Sequence, residues 1–135
     1  MKPTPIDKEY HLSEDDFIVS KTDVYGNLTY ANMAFIKISG YTEEEFLNQP
    51  HSIMRHPDMP KKAFESMWTT IKQGKEWHGI VKNLCKDGGF YWVDATVTPS
   101  FKNEDIIGYM SVRRQASPDQ IQKATIEYSE LKSHE

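Results

Sequence analysis

"EWHGIVKNLCKDGGFYWVDATVTPSF" (residues 76–101) reads as two long strands folded about Lys86-Asp87-Gly88-Gly89, whose Asp-Gly pair is a strong hairpin signal. In the second strand Tyr91, Val93, Ala95 and Val97 share one face, and Phe90, Trp92, Asp94 and Thr96 the other. A polar turn at Asn103-Glu104-Asp105 leads into "IIGYMSVRR" (106–114), a third long strand. Upstream, Phe64, Met67, Trp68 and Ile71 recur at i, i+3, i+4 and i+7, the apolar face of a helix. Pro60 suits the first position of that helix, and Gly74 the position just past its end.

Further out, "DFIVSKTDVYGNLTYAN" (16–32) is a hairpin turning at Tyr25-Gly26-Asn27. "MAFIKIS" before Gly40 makes one or two helical turns with a glycine stop, and Thr42 with Glu45 forms a capping box. Ser117-Pro118-Asp119-Gln120 opens a last helix, whose Ile121, Ala124, Tyr128 and Leu131 form a narrow apolar stripe. That stripe suits a partner helix or packing back on the sheet. Residues 1–13, with Pro3 and Pro5 among polar neighbours, read as a loose arm. Residues 14–117 are the domain, and 118–135 are the terminal helix or linker. Hairpin-linked strands enclosing a helical segment give an α+β domain: an antiparallel sheet covered on one face.

The 135 residues suit one hydrophobic core, and 38% apolar against 27% charged residues is an ordinary globular balance. A net charge of −4 with scattered Lys and Arg offers no stripe for nucleic acid and no basic face for a membrane. No apolar run approaches the roughly 18 residues of a spanning helix. The single Cys85 excludes an internal disulfide and fits a reducing, cytoplasmic setting. No two of the five histidines have the i, i+4 spacing of a helical zinc site, and there is no nucleophile elbow or phosphate loop. Enzymatic chemistry finds little support.

Binding chemistry finds more. In "HSIMRHPDMP" (51–60), Arg55 offers a planar donor fork, His51 and His56 offer ring nitrogens, and Asp58 can accept or orient. Ahead of a helix start such an array suits a phosphate or the polar edge of a nucleotide; a helix cap and a surface ion pair account for it equally well. Trp68, Trp77, Tyr91 and Trp92 suit either a bulky core or a flat ligand. Asn83 either faces solvent or is buried, where its amide can donate and accept at once.

The element order, with "Y-x-N-x-A-F" (30–35), "SGYTEEEFLNQPH" (39–51) and "GYMSVRR" (108–114), resembles a PAS domain. "RHPDMPKKAFESMW" (55–68), "GKEWHGIVKN" (74–83) and "GGFYWV" (88–93) are similar to the flavin-binding PAS domains of bacterial aerotaxis receptors. The likeness spans roughly residues 14–117. It implies a PAS fold, a five-stranded antiparallel sheet of order 2-1-5-4-3, holding FAD noncovalently between sheet and helices. It also implies that Arg55, His56 and Asp58 are needed for FAD, and that His51 and Asn32 lie at the flavin site. Trp68 and Tyr91 would lie near the isoalloxazine ring, and Asn83 would meet its polar edge. The implied role is oxygen or redox sensing for aerotaxis, through a chemotaxis signalling module or HAMP-type domain in cis or trans, at the inner face of the membrane through a further segment or partner; homodimerisation is allowed. The sequence resembles only the sensor part of such receptors, as an excised domain or a small stand-alone protein. Light-sensing relatives carry a photoreactive cysteine in the helical segment, whereas Cys85 falls in a strand region. A cofactor-free interaction module, its cavity filled by Phe64, Met67 and Trp68, is the alternative. A haem sensor using His51 or His56 is the weaker one.

Overall fold

The computed structural model describes residues 2–135. Five strands, β1 (Ile18–Thr22), β2 (Leu28–Ala31), β3 (Trp77–Leu84), β4 (Phe90–Lys102) and β5 (Asp105–Gln115), form one sheet. The order is β2-β1-β5-β4-β3 and every pair is antiparallel. Between β2 and β3 lie α1 (Met33–Ser39), α2 (Glu43–Phe46), a 3₁₀ turn (His51–Met54) and α3 (Lys61–Lys72). Helix α4 (Pro118–Ser133) follows β5.

Local chemistry accounts for the short helices. Asn32 caps α1 by accepting from Phe35 N–H at 3.2 Å, and Gly40 ends it in the left-handed conformation, φ 79°. The Thr42–Glu45 capping box is formed at α2, and a second, Ser117–Gln120, at α4. Pro60 sits one residue outside α3 rather than in its first turn, because its ψ of 148° is extended.

The main core fills the space between the sheet and α1, α2 and the 3₁₀ turn. Phe35, Phe46, Met54, Ile18, Leu28, Tyr91 and Val93 are all fully buried there, with the Phe35 and Phe46 ring centroids 4.6 Å apart. A second cluster, Ile71, Val97 and Tyr109, lies under α3. The sheet's other face carries a third: Trp92, Ala116 and Ala124, with Ile80, Phe90, Ile121 and Tyr128 packed around them. The short helices and α3 thus cover one face of the sheet, and the α4 stripe folds back over β3 and β4 on part of the other. Tyr128 Oη donates to Ile80 C=O at 2.5 Å, and Glu135 Oε2 accepts from Lys61 N–H, at the start of α3, at 2.6 Å.

The amino-terminal arm is not loose. It runs beside the β3–β4 turn, with Ile6 N–H bonded to Gly88 C=O at 2.9 Å and Tyr10 N–H to Phe90 C=O at 2.7 Å. Gly88 permits this approach: a Cβ there would strike the Thr4 carbonyl. Cys85, just past β3, is buried, and its thiol donates to Ile38 C=O at 3.3 Å. Burial pushes that thiol up to about 12. No helix among the described residues is long and apolar enough to cross a membrane.

Candidate functional site

Between the first and second core clusters the sheet and α3 enclose a cavity of about 320 Å³. Cross-strand register explains why it exists. The inner-face row Gly79–Ala95–Arg113 neighbours the row Trp77–Val97–Ser111–Ser20. Ala95, Ser111 and Ser20 are too small to fill the gap, and α3 spans it with Phe64, Met67 and Trp68. Trp68 also packs edge-on against Tyr109, centroids 5.6 Å apart.

At the floor stands Arg113, 2% exposed. Its Nη2 donates to Ser20 Oγ at 2.6 Å and its Nη1 faces His51 Nε2 at 3.2 Å, while Nε has no partner. The guanidinium carbon lies 4.4 Å from the Phe35 ring centroid. Burial lowers its pKa to about 10, still charged at neutral pH. His51 is driven down to about 3, first by burial and then by Arg113 and Arg55, so its ring is neutral and Nε2 accepts from Arg113. Arg55 lies over the Phe64 ring at 3.8 Å, and its Nε is also buried without a partner. No carboxylate among the described residues pairs with either arginine. A buried cation without a counter-charge costs several kcal/mol.

Four of the eight residues singled out in the sequence line this cavity: His51, Arg55, Trp68 and Asn83. Asn83 is buried, and its Nδ2 is unpartnered. Tyr91 stands directly across from it on β4, fully buried in the main core, its hydroxyl unpartnered and its pKa raised by burial. Three lie away from the cavity lining. Asn32 caps α1 and donates to Phe17 C=O at 2.8 Å. His56 is 4% exposed, its Nδ1 accepts from Asp58 N–H at 3.0 Å, and its pKa falls to about 4, mainly through burial. Asp58 pairs with Lys82 at 2.8 Å, which lowers its pKa. His56 and Asp58 hold the loop along the edge of β3, where Arg55 bridges Asn83 and Lys82 N–H reaches Met59 Sδ at 3.4 Å.

Sequence reading missed Arg113, Ser20, Thr22, Ser111 and Tyr109, all of them lining the cavity. The alternation of "YMSVRR" separates Tyr109, Ser111 and Arg113 from Met110, Val112 and Arg114, yet the more apolar set faces away from the cavity.

The sequence profile of the PAS fold matches residues 28–113. This chain belongs to the PAS family. It is 47% identical over 110 residues to the aerotaxis receptor of Escherichia coli (strain K12), covering 82% of this chain and 22% of that protein. It is 34% identical over 100 residues to the nitrogen fixation regulatory protein of Klebsiella pneumoniae, covering 73% of this PAS chain and 20% of the regulator. The chain thus spans about a fifth of the length of these curated relatives. Among solved structures, a light-oxygen-voltage domain studied with a flavin analogue superposes with a TM-score of 0.70 at 22% identity, over 84% of this chain and 85% of the other. The PAS domain of a protein from Colwellia psychrerythraea gives 0.63 at 23% identity, over 74% and 86%. Both share the fold.

Proposed function

We propose that this PAS domain is a redox sensor that holds FAD noncovalently in the cavity under α3 and passes its redox state to a signalling partner. The observation that carries the reading is Arg113: a buried, charged guanidinium without a carboxylate, in a cavity whose other orphaned groups are Arg55 Nε, Asn83 Nδ2 and Thr22 Oγ1. Such a donor-rich, aromatic-walled space fits an electron-rich ring with several acceptor atoms. At about 320 Å³ it stands at the small end of ligand pockets, enough for the ring system, with the rest of a dinucleotide outside it.

A bound flavin supplies reversible electron uptake, with protonation and hydrogen bonding that change with the electron count. The protein's own groups do the rest. Arg113 and Arg55 place positive charge at the cavity, Asn83 offers an amide hydrogen, and Trp68 and Trp77 exclude water. Arg113 also ties β5 to Ser20 on β1 and to His51, so a shift of its guanidinium is felt in the central strands. The partner in this reading is a chemotaxis-type signalling module or a HAMP-type domain, in cis or in trans, and the setting is cytoplasmic. The aerotaxis receptor relative supports that direction.

A cofactor-free module fits less well, since Phe64, Met67 and Trp68 line the space without filling it. Haem is disfavoured because His51 Nε2 is engaged by Arg113 and His56 lies away from the cavity lining. The test is the visible spectrum of protein refolded with excess FAD: a yellow protein that bleaches on anaerobic reduction and recovers in air is expected. A colourless protein overturns the proposal, and a Soret band in the protein as purified selects haem.

A further inference from the structure

We infer that Gly79 is the specificity-determining position of the cavity: it sets the cavity's width by letting the Trp77 indole lie flat on β3. The "W-x-G" phrase at 77–79 has a steric explanation. Trp77 and Gly79 are two residues apart on one strand, so both face α3. The indole benzo ring occupies the place a Gly79 side chain would take. A Cβ there would meet Trp77 Cζ2 at 2.5 Å and Cζ3 at 3.1 Å, with Cη2 nearer still. Gly79 has ordinary strand backbone, outside the left-handed region, so alanine is admissible for the main chain and the conflict is with the indole alone.

The strand backbone blocks the indole on the sheet side, and Val97 stands across from Trp77 on β4. An indole lifted off Gly79 moves toward α3, into the cavity it now borders. Ala95 stands directly across from Gly79, and Arg113 across from Ala95. The space beside the guanidinium thus exists because two consecutive members of this row are nearly side-chain-free. Trp68 repeats the device at the opposite wall, lying on Gly26 of the β1–β2 turn; a Cβ there would meet its ring at 3.1 Å. Gly26 has φ +87°, so a substitution there would also strain the turn, which leaves Gly79 as the clean test. A flat ligand fits between walls set by glycine contacts, and a methyl group at one of them closes the gap.

This inference rests on the flavin reading for its natural ligand, and the experiment separates the two. FAD affinity is measured for the wild type, Gly79→Ala and the double variant Gly79→Ala/Trp77→Leu, with folding followed by thermal melts. In parallel, 1-anilinonaphthalene-8-sulfonate, a flat anionic probe, is titrated into each flavin-free protein. Gly79→Ala is expected to fold and to bind both ligands at least about tenfold more weakly, since over-packing typically costs that much. The double variant, which removes the indole and with it the clash, is expected to bind both ligands more tightly than Gly79→Ala does. Wild-type affinity in Gly79→Ala overturns the inference, as does a double variant that binds no more tightly than Gly79→Ala. Should Gly79→Ala not fold, the double variant decides: folding with binding supports a clash with Trp77, and failure to fold overturns it. Should the wild type take no FAD, the flavin reading falls, and the probe titrations still decide the role of Gly79.

Discussion

Beside β3, Asp58 meets Lys82 at 2.8 Å while the buried His56 ring accepts the Asp58 N–H at 3.0 Å. On the sheet's inner face Arg113 is buried as well, yet it has a hydroxyl, a neutral imidazole and no anion. The first cluster answers its own charges, with Asp58 side chain 68% exposed and Lys82 lying over the Phe90 ring at 4.4 Å. The second leaves donors unanswered where water is scarce. Charge balance, more than residue type, separates a group that shapes a loop from one that awaits a ligand. Arg55 stands at the junction, its backbone in the loop cluster and its side chain in the cavity.

The contrast is broken or sharpened most strongly at Arg113. Arg113→Met is expected to weaken FAD about 100-fold in a fluorescence titration, because a buried charged donor is lost. The flavin-free protein should be no less stable to urea than the wild type, since an uncompensated buried charge has gone. A flavin-free variant that unfolds more readily would make Arg113 a structural residue and dissolve the distinction.

His51 gives the next largest effect. Its folded pKa of about 3 lies below the ordinary 6.5, so the folded protein keeps it neutral where the unfolded chain takes a proton. The unfolded state then binds more protons between those values, and stability falls as pH falls through that window. From pH 7 to 5 the loss from this residue is about 2 kcal/mol. His56 adds to it between 6.5 and about 4. Urea midpoints at the two pH values should therefore draw closer in His51→Gln by roughly the His51 share. An unchanged gap would mean that His51 is not held neutral beside Arg113.

The smallest effects belong to the balanced cluster. An exposed ion pair is worth about 0.2–1 kcal/mol. Asp58→Asn and Lys82→Met should each weaken FAD by no more than about fivefold, through the loop that carries Arg55, and the double variant should be no worse than either. Loss of flavin as complete as in Arg113→Met would place Asp58 in the binding site itself.

Much of the fold was legible in the sequence. The Asp-Gly turn, the period of α3 and both capping boxes depend on neighbours a few residues away, and each formed where the pattern put it. Features set by long-range register were not legible. In β5 the apolar Met110 and Val112 suggest an inward face, but pairing of Ser111 with Ser20 and Val97 turns the polar set to the cavity. The pattern of the arm suggests a loose segment and the α4 stripe suits a partner or the sheet alike, because nothing local tells a stripe which surface it will meet; α4 meets the sheet. The site divided in the same way: His51, Arg55, Trp68 and Asn83 line the cavity, whereas His56 and Asp58, adjacent in sequence, are turned to the loop.

Cys85 turns one further detail of the fold into an instrument. It is the chain's single thiol, two residues beyond Asn83, buried and held almost wholly protonated at neutral pH. A disulfide reagent attacks only the thiolate, so labelling must await transient openings of the sheet edge. Its rate is a clock for those openings. The unaltered protein can thereby count how often the strand beside the cavity comes apart, with ligand and without.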